Sequence, residues 1–579
     1  MAVEPMSTSL AQYHDAVARA IAETQESDLT RRIWRKDASV WKAEEAHQKI
    51  IRNSLGWLTV PSKMITAAGE LKEFADQIRN SGSFKHVMLC GMGGSSLCPE
   101  VLRQTFGPQT GYPELLVLDS TDPDVLAKFA RQINVERCLF VIASKSGTTT
   151  EPLVFYKYWY DQVRQKTDKP GESFVAITDP GTRMVEMATA DQFLHIFLNP
   201  PDIGGRYSAL SYFGLVPAAL MGLDINLLLE RAEQMVTMCG AEVSAVENPG
   251  IVLGAIIGEC ARAGRDKLTI VTDYQISALG LWIEQLVAES TGKEGKGILP
   301  VQGEPIGSPD VYGSDRLFVS IAVGDQDEQT RQRLDELSNA GHPVVHRCLS
   351  DRYDLASEFF VWEFATAVAG WRLGINPFDQ PNVQESKDAT RELLDYFKAN
   401  GRLAEQDQVT ADGVLTVYAS ERSRANLPSG SVLEALRVYL AAVKPGDYIA
   451  LLDYIEETPD IEGTLQDIRT RLRDSLCCAT TTGYGPRFLH STGQLHKGGP
   501  DSGVFIQITA ADDIDLPIPG EPYTFSVLKQ AQALGDFRSL SAHGRRALRV
   551  DLGKDVLAGL SKLRELLSKA LQASESSHG

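Results

Sequence analysis

At 579 residues, with 43% hydrophobic and 23% charged side chains, the chain has the composition of a folded protein of several units, not of a disordered or fibrous one. A formal net charge of −19 opposes binding to nucleic acid or to an anionic membrane surface. Eight scattered cysteines, with no Cys-x-x-Cys pair and no Cys/His cluster, argue against a disulfide scaffold and offer no metal site.

In chain order, Met1–Ala20 shows no basic stretch followed by an apolar one, and runs such as Ile251–Ile257 are far shorter than a membrane span. A cytoplasmic protein is the expectation. Residues 1–80 carry apolar side chains at helical spacing and no β-rich run, so they read as a helical lead-in packed on the first domain. From Lys85, β-branched runs alternate with amphipathic segments, the pattern of a parallel sheet covered by helices on both faces. Strands are expected at Lys85–Cys90, Glu114–Asp119, Arg137–Ala143 and Ser173–Thr178, within a first domain of residues 81–248. A second α/β domain, 249–395, is expected to hold strands Lys267–Thr272, Arg316–Val323 and Pro343–Cys348 and helices Ile276–Ser290 and Asp354–Gly374. Residues 396–579 read as a smaller α/β unit with strands Gly413–Ala419, Asp447–Asp453, Leu476–Thr481 and Gly503–Thr509. The polar end Ser574–Gly579 is expected to fray. The two tandem sheets suggest a duplication, although no residue-level repeat is visible.

Two loops stand at expected strand ends, where doubly wound sheets hold their ligands. The first, Gly91-Met92-Gly93-Gly94-Ser95-Ser96, reads equally as a tight strand-to-helix turn. With Asp119 at the next strand end it also resembles a dinucleotide fingerprint whose third glycine is replaced by Ser96. The second, Ser144-Lys145-Ser146-Gly147-Thr148-Thr149, packs four hydroxyls and a lysine into six residues, more than a turn requires. Such donors at a helix start suit a phosphate monoester.

Further on, Gly204-Gly205-Arg206-Tyr207-Ser208 allows close backbone approach beside a guanidinium, either as a surface turn or as a group facing a developing oxyanion. Ile276, Leu279, Ile283, Leu286 and Val287 predict a packed helix on which Gln285 and Glu289 share a face. Glu289 falls in its last turn, where the helix dipole disfavours a carboxylate. It is placed either as a proton-transferring base or as a solvent-facing acid paired with Lys293. Phe378-Asp379-Gln380 leads to Lys387 at a helix start. Gly485–Gly499 gathers His490, His496, Lys497 and several glycines, and either histidine could equally be structural.

Taken together and in this order, the segments over about residues 80–390 resemble the phosphoglucose isomerase family. The resemblance implies two tandem sugar-isomerase α/β sandwiches with parallel sheets, followed by the C-terminal α/β unit. It implies that Gly94, Ser95, Ser144, Lys145, Ser146 and Thr149 bind a sugar phosphate, with Gly205 near the reacting oxygens and Gln285 and Gln380 lining the sugar. Glu289 is implied as the base, Arg206 as the partner of the enediolate, and Lys387 as an aid to ring opening. Three places depart from the family pattern. Gly147 stands where a bulky residue is common, Asn382 and Gln384 where glycine and glutamate are common, and no Gly-Gln-His segment lies between Glu289 and Lys387. The run from His490 to Gly498 resembles that missing segment, so His490, or alternatively His496, is expected to open the ring. The same run looks like the end of bacterial transaldolase/phosphoglucose isomerase fusions, but residues 1–80 cannot hold a barrel of eight strands and eight helices, so no transaldolase activity is expected.

The expected reaction is therefore interconversion of glucose 6-phosphate and fructose 6-phosphate by metal-independent proton transfer, without a cofactor. The alternatives are a dual isomerase that also takes mannose 6-phosphate and a non-catalytic sugar-phosphate regulator. A phosphorylated hexose is the expected partner, and the protein is expected to be a monomer or a homodimer.

Overall fold

The computed structural model describes residues 6–404 and 406–575. Its strands form three sheets. In the first, the strands run in the order Glu114–Leu118, His86–Cys90, Cys138–Ala143, Phe174–Thr178, His195–Leu198, all parallel. Cys138–Ala143 is apolar and buried along its whole length, as a strand covered on both faces must be. The second sheet is parallel in the order Val344–Leu349, Arg316–Val323, Lys267–Thr272, Leu299–Val301. These two sheets, with helices on both faces, are the tandem parallel α/β sandwiches expected.

The third sheet has six strands, one more than either of the others where a smaller unit is expected. Its order is Thr410–Ala411, Thr416–Ala419, Arg546–Asp551, Gly503–Thr509, Tyr448–Tyr454, Ala479–Tyr484. The last four are parallel, and the first two form an antiparallel margin.

All eleven expected strands appear with their ends within three residues of their place, Gly413–Ala419 shortening to Thr416–Ala419. The strand expected at Leu476–Thr481 begins at Ala479, because the helix Pro459–Leu476 runs on to its left-handed cap at Cys477. The lead-in is not wholly helical. Ser7–Ser9 pairs antiparallel with Val344–His346 at the margin of the second sheet, an edge contact held by backbone and so without an apolar signature. Its helices also reach beyond the first sheet, His14–Glu26 packing on Pro249–Arg262 and Val60–Ser81 on Ile225–Met238. The last helix runs to Glu575, and the rest of the expected frayed end lies outside the described residues. No described helix is long and apolar enough to cross a membrane.

The cores explain how distant segments meet. One continuous core joins an inner face of the first sheet (Val87, Leu89, Val141, Ile177) to the second sheet (Leu268, Val319, Ile321) through the helices between them and the lead-in. The opposite face of the first sheet, under the helix Thr150–Arg164, shares a core with Leu393 and Leu394 of the helix Pro381–Asn400 and with Phe525 and Leu528 of the helix Phe525–Ala542. One face of the third sheet packs on Ala288 and on Leu299 and Val301. The third unit is thus folded back between the other two, and this brings residues 487–499 against the helix Leu279–Thr291.

Candidate active site

The loops after His86–Cys90 and Cys138–Ala143 are neighbours because their strands pair, Cys90 opposite Ile142. In the first loop, an added Cβ at Gly94 would lie 2.1 Å from the Gly205 carbonyl oxygen, so glycine is required for the two backbones to touch. At Gly93, φ is +56° and a Cβ would meet Gln285 at 2.9 Å and His490 at 3.0 Å. One turn therefore touches the 204–208 loop, the 279–291 helix and the 487–490 segment. Ser95 is buried in this turn. Asp119, the acid a dinucleotide site would need for its ribose, is bound by Arg487 at 3.0 and 2.9 Å and by the Ser96 hydroxyl at 3.2 Å. That reading of the first loop loses its ribose ligand.

The second loop leads into the helix Thr150–Arg164. Its hydroxyls bond to one another, Ser144 to Thr149 at 3.2 Å and Ser146 to Thr148 at 3.0 Å. Lys145 does not join them. Its ammonium is paired with Asp179 and donates to the Pro201 carbonyl at 3.1 Å. The glycine at 147 has φ of +65°, and a Cβ there would stand 2.9 Å from Thr182 Cβ, so the backbone turn itself accounts for it.

Arg206 is the hub. It is only 3% exposed. Its Nε donates to Ser290 Oγ at 2.7 Å, Nη1 to Gln380 Oε1 at 2.9 Å, and Nη2 to the carbonyls of Pro377 and Asp379 at 2.7 and 3.1 Å. Nη1 also lies 3.3 Å from Glu289 Oε1. Most of the guanidinium is thus engaged by the protein, so Arg206 ties the segments of the site together and is not the solvated arginine of a surface turn. Its flanking Gly205 faces open space, since an added Cβ would meet nothing within 4 Å.

Glu289 is 8% exposed, two residues before the end of its helix. Gln285 Nε2 donates to its Oε2 at 3.1 Å, so the expected shared face is real. The anticipated alternative partner, Lys293, turns to Asp379 at 2.7 Å. Burial and the nearby Arg206 lower the Lys293 ammonium to about 8, against the pull of Asp379.

The same Gln285 Nε2 donates to the His490 carbonyl at 2.7 Å. His490 Nε2 stands 3.3 Å from Glu151 Oε1, and Gln532 donates to that oxygen at 2.7 Å. Burial would raise the Glu151 pKa, but the charge and hydrogen bond of His490, with a lesser contribution from Lys387, hold it below the ordinary value. Lys387, Glu151 and His490 line one cavity of about 410 Å³ with Thr148, Thr150 and Gln532. His496 is not a candidate of the same kind. It is packed among Tyr448, Phe488 and Phe505 with both ring nitrogens unpartnered, and burial pushes its pKa far down.

The structure therefore brings together Gly94, Gly205, Arg206, Gln285, Glu289, Gln380 and His490, places Lys387 on the cavity beside His490, and keeps Lys145 turned from its loop's hydroxyls. Sequence reasoning missed Glu151, Ser290 and Gln532. Glu151 reads locally as an ordinary first-turn acid, and Gln532 reaches it from 381 residues away.

Two parallel α/β sandwiches thus bring their loops together around a buried acid, a guanidinium and a histidine. Over residues 56–299 the chain matches the family described as phosphoglucose isomerase, and its resemblance to that family is thereby shown. The glucose-6-phosphate isomerase of Leptospira biflexa is 26% identical over 409 residues, covering 61% of this chain and 90% of the relative. That of Rubrobacter xylanophilus is 28% identical over 370 residues, covering 55% and 84%. Among solved structures, the glucose-6-phosphate isomerase of Chlamydia trachomatis aligns with a TM-score of 0.54 at 18% identity, over 68% of this chain and 88% of its own. A hypothetical protein of Thermus thermophilus aligns with a TM-score of 0.57 at 21% identity, over 67% and 99%. These two likenesses concern the fold. The family match ends before Lys387 and His490, and the structure sets those two residues on one cavity.

Proposed function

We propose that this chain is an aldose–ketose isomerase that interconverts glucose 6-phosphate and fructose 6-phosphate through an enediolate. The observation that carries this reading is the line Gln380–Arg206–Glu289–Gln285–His490–Glu151, joined by hydrogen bonds and, between Arg206 and Glu289, by an ion pair, and assembled within one chain beside the two hydroxyl-bearing loops.

The sugar phosphate is held by Ser95 and by Ser144, Ser146 and Thr149 at the start of the helix Thr150–Arg164, where backbone N–H groups and the helix dipole favour an anion. Lys145, paired with Asp179, stands beside that loop and is not counted among the phosphate ligands. His490, oriented by Glu151, moves the proton that opens the sugar ring, with Lys387 beside it. Glu289 then takes the proton from C2 of the open-chain aldose, negative charge passes to the carbonyl oxygen, and the proton returns at C1. Arg206 and Gln380 face that oxygen, while Gly205 leaves room for it. Binding through the distant phosphate fixes the reacting carbons and lowers the entropic part of the barrier.

Because His490 comes from the same chain as Glu289, one subunit suffices for the site, whether the protein is a monomer or a homodimer. The cysteines are scattered and form no disulfide scaffold in the sequence, and we place the enzyme in the cytoplasm. The glycine at 147 gives no support to mannose 6-phosphate as a second substrate, since its backbone conformation explains it.

The test is a coupled assay with purified protein and, separately, glucose 6-phosphate, fructose 6-phosphate and mannose 6-phosphate. Turnover of the first two is expected. Binding without turnover would instead make the chain a sugar-phosphate regulator, and equal turnover of the mannose ester a dual isomerase.

A further inference from the structure

One buried amide ties together the three segments on which the proposed chemistry depends. Gln494 is fully buried, four residues after His490. Its Nε2 donates to the Gly292 carbonyl at 2.9 Å and to Asn382 Oδ1 at 2.8 Å. Its Oε1 accepts the Asn382 backbone N–H at 2.9 Å. Gly292 caps the helix that carries Glu289, and Asn382 is the second residue of the helix that carries Lys387. The last carbonyls of a helix and its first N–H groups have no partner within the helix. A single side chain supplies one of each here, closing the end of the base helix and the start of the lysine helix.

The surrounding residues are fitted to this knot. A Cβ at Gly498 would lie 2.4 Å from Asn382 Oδ1, 2.7 Å from the Gly292 oxygen and 2.8 Å from Gln494 Nε2. At Gly292 it would lie 2.4 Å from Leu495 Cα. Asn382, which stands where the family commonly has glycine, supplies one of the two oxygens that accept from Gln494 Nε2.

We propose that Gln494, acting with Asn382, is a positioning residue for the reaction. It sets the separation of Glu289, Lys387 and His490 without touching the substrate, so the three groups keep one geometry although they come from three parts of the chain. The inference rests on the isomerase reading. A displacement of about 1 Å at remote supports can cost as much as 100-fold in rate. Phosphate binding, carried by the loops at 91–96 and 144–149, does not depend on the knot.

The experiment measures kcat and KM for glucose 6-phosphate in the wild type, Gln494→Ala, Asn382→Gly and the double variant, each normalised to folded protein by its thermal transition. Gln494→Ala is expected to lower kcat about 10- to 100-fold with KM within about twofold. Asn382→Gly should cause a smaller fall in kcat. The double variant should be no worse than Gln494→Ala, because the two act through one contact. Unchanged kcat per folded molecule in the single variants, or independent losses that multiply in the double variant, would overturn the proposal. If Gln494→Ala does not fold, Asn382→Gly decides, and a kcat within experimental error of wild type rejects the role. Absence of turnover in the wild type itself refutes the isomerase reading and is thereby distinguishable from failure of this one.

Discussion

Arg206→Lys keeps the positive charge and removes the fork, so it separates the geometry of the hub from its electrostatics. The guanidinium makes four hydrogen bonds, to Ser290, Gln380, Pro377 and Asp379, and contacts Glu289. An ammonium on a straight stem cannot reach the Ser290 hydroxyl and the Pro377 and Asp379 carbonyls from one point. Losing two charge-assisted bonds at about 1.5–3 kcal/mol each gives about 3–6 kcal/mol. The remaining partners recover part of this, since Asp379 keeps Lys293 and the Ser290 hydroxyl keeps Tyr207 at 3.3 Å. A net loss of about 3 kcal/mol in unfolding free energy follows. Catalysis should suffer as well, because Glu289 and Gln380 lose their common anchor, and removal of one preorganised donor typically costs about 100- to 1,000-fold in kcat. Urea denaturation read by tryptophan fluorescence and the coupled isomerase assay check the two numbers separately. A kcat within about threefold of wild type, in a protein destabilised as expected, would refute the idea that the fork organises the reacting groups.

Two other outcomes are expected. His490→Ala should slow turnover of the cyclic sugar by about 100-fold or more while affecting the open-chain fraction much less, which stopped-flow mixing with a freshly equilibrated substrate resolves; equal slowing of both would remove His490 from ring opening. Glu284, buried beside Ser491 on the base helix, has its carboxyl pushed up to about 7, chiefly by burial. The folded state therefore holds its proton more tightly than the unfolded state, so this group's contribution to stability is present at low pH and is lost as pH rises from about 4.5 to about 7. Glu284→Gln, which keeps an oxygen for Ser491, should be more stable than wild type at pH 8 by up to about 3 kcal/mol and equal to it near pH 4; parallel stability curves across that window would contradict the assignment.

What could be read in the chain divides along a physical line. Strands such as Cys138–Ala143 and Phe174–Thr178 announce themselves because burial along their whole length demands unbroken apolar or β-branched runs. His195–Leu198 and Leu299–Val301 do not, since one is a short, partly exposed edge and the other contains a proline. Arg546–Asp551 mixes charged and apolar residues, and its place is decided by pairing with Gly503–Thr509. In the site, Gln285 and Glu289 are legible from helical spacing alone, and His490 from the residues that follow it. Glu151 and Gln494 are not, because their roles arise only when helices from separate units close on them. Lys145 illustrates the opposite failure. Its position among four hydroxyls points to one anion, while tertiary contact with Asp179 directs its ammonium elsewhere.

The most direct test follows the C2 proton of glucose 6-phosphate by NMR in deuterated water, with wild-type protein and with Glu289→Gln. Wild type is expected to form fructose 6-phosphate while the C2 proton signal is lost to solvent deuterium. The Glu289→Gln variant should still bind the sugar phosphate, retain that signal, and turn over at least about 100-fold more slowly. Interconversion by the variant at close to the wild-type rate would contradict Glu289 as the base, and no interconversion by the wild type would contradict the function itself.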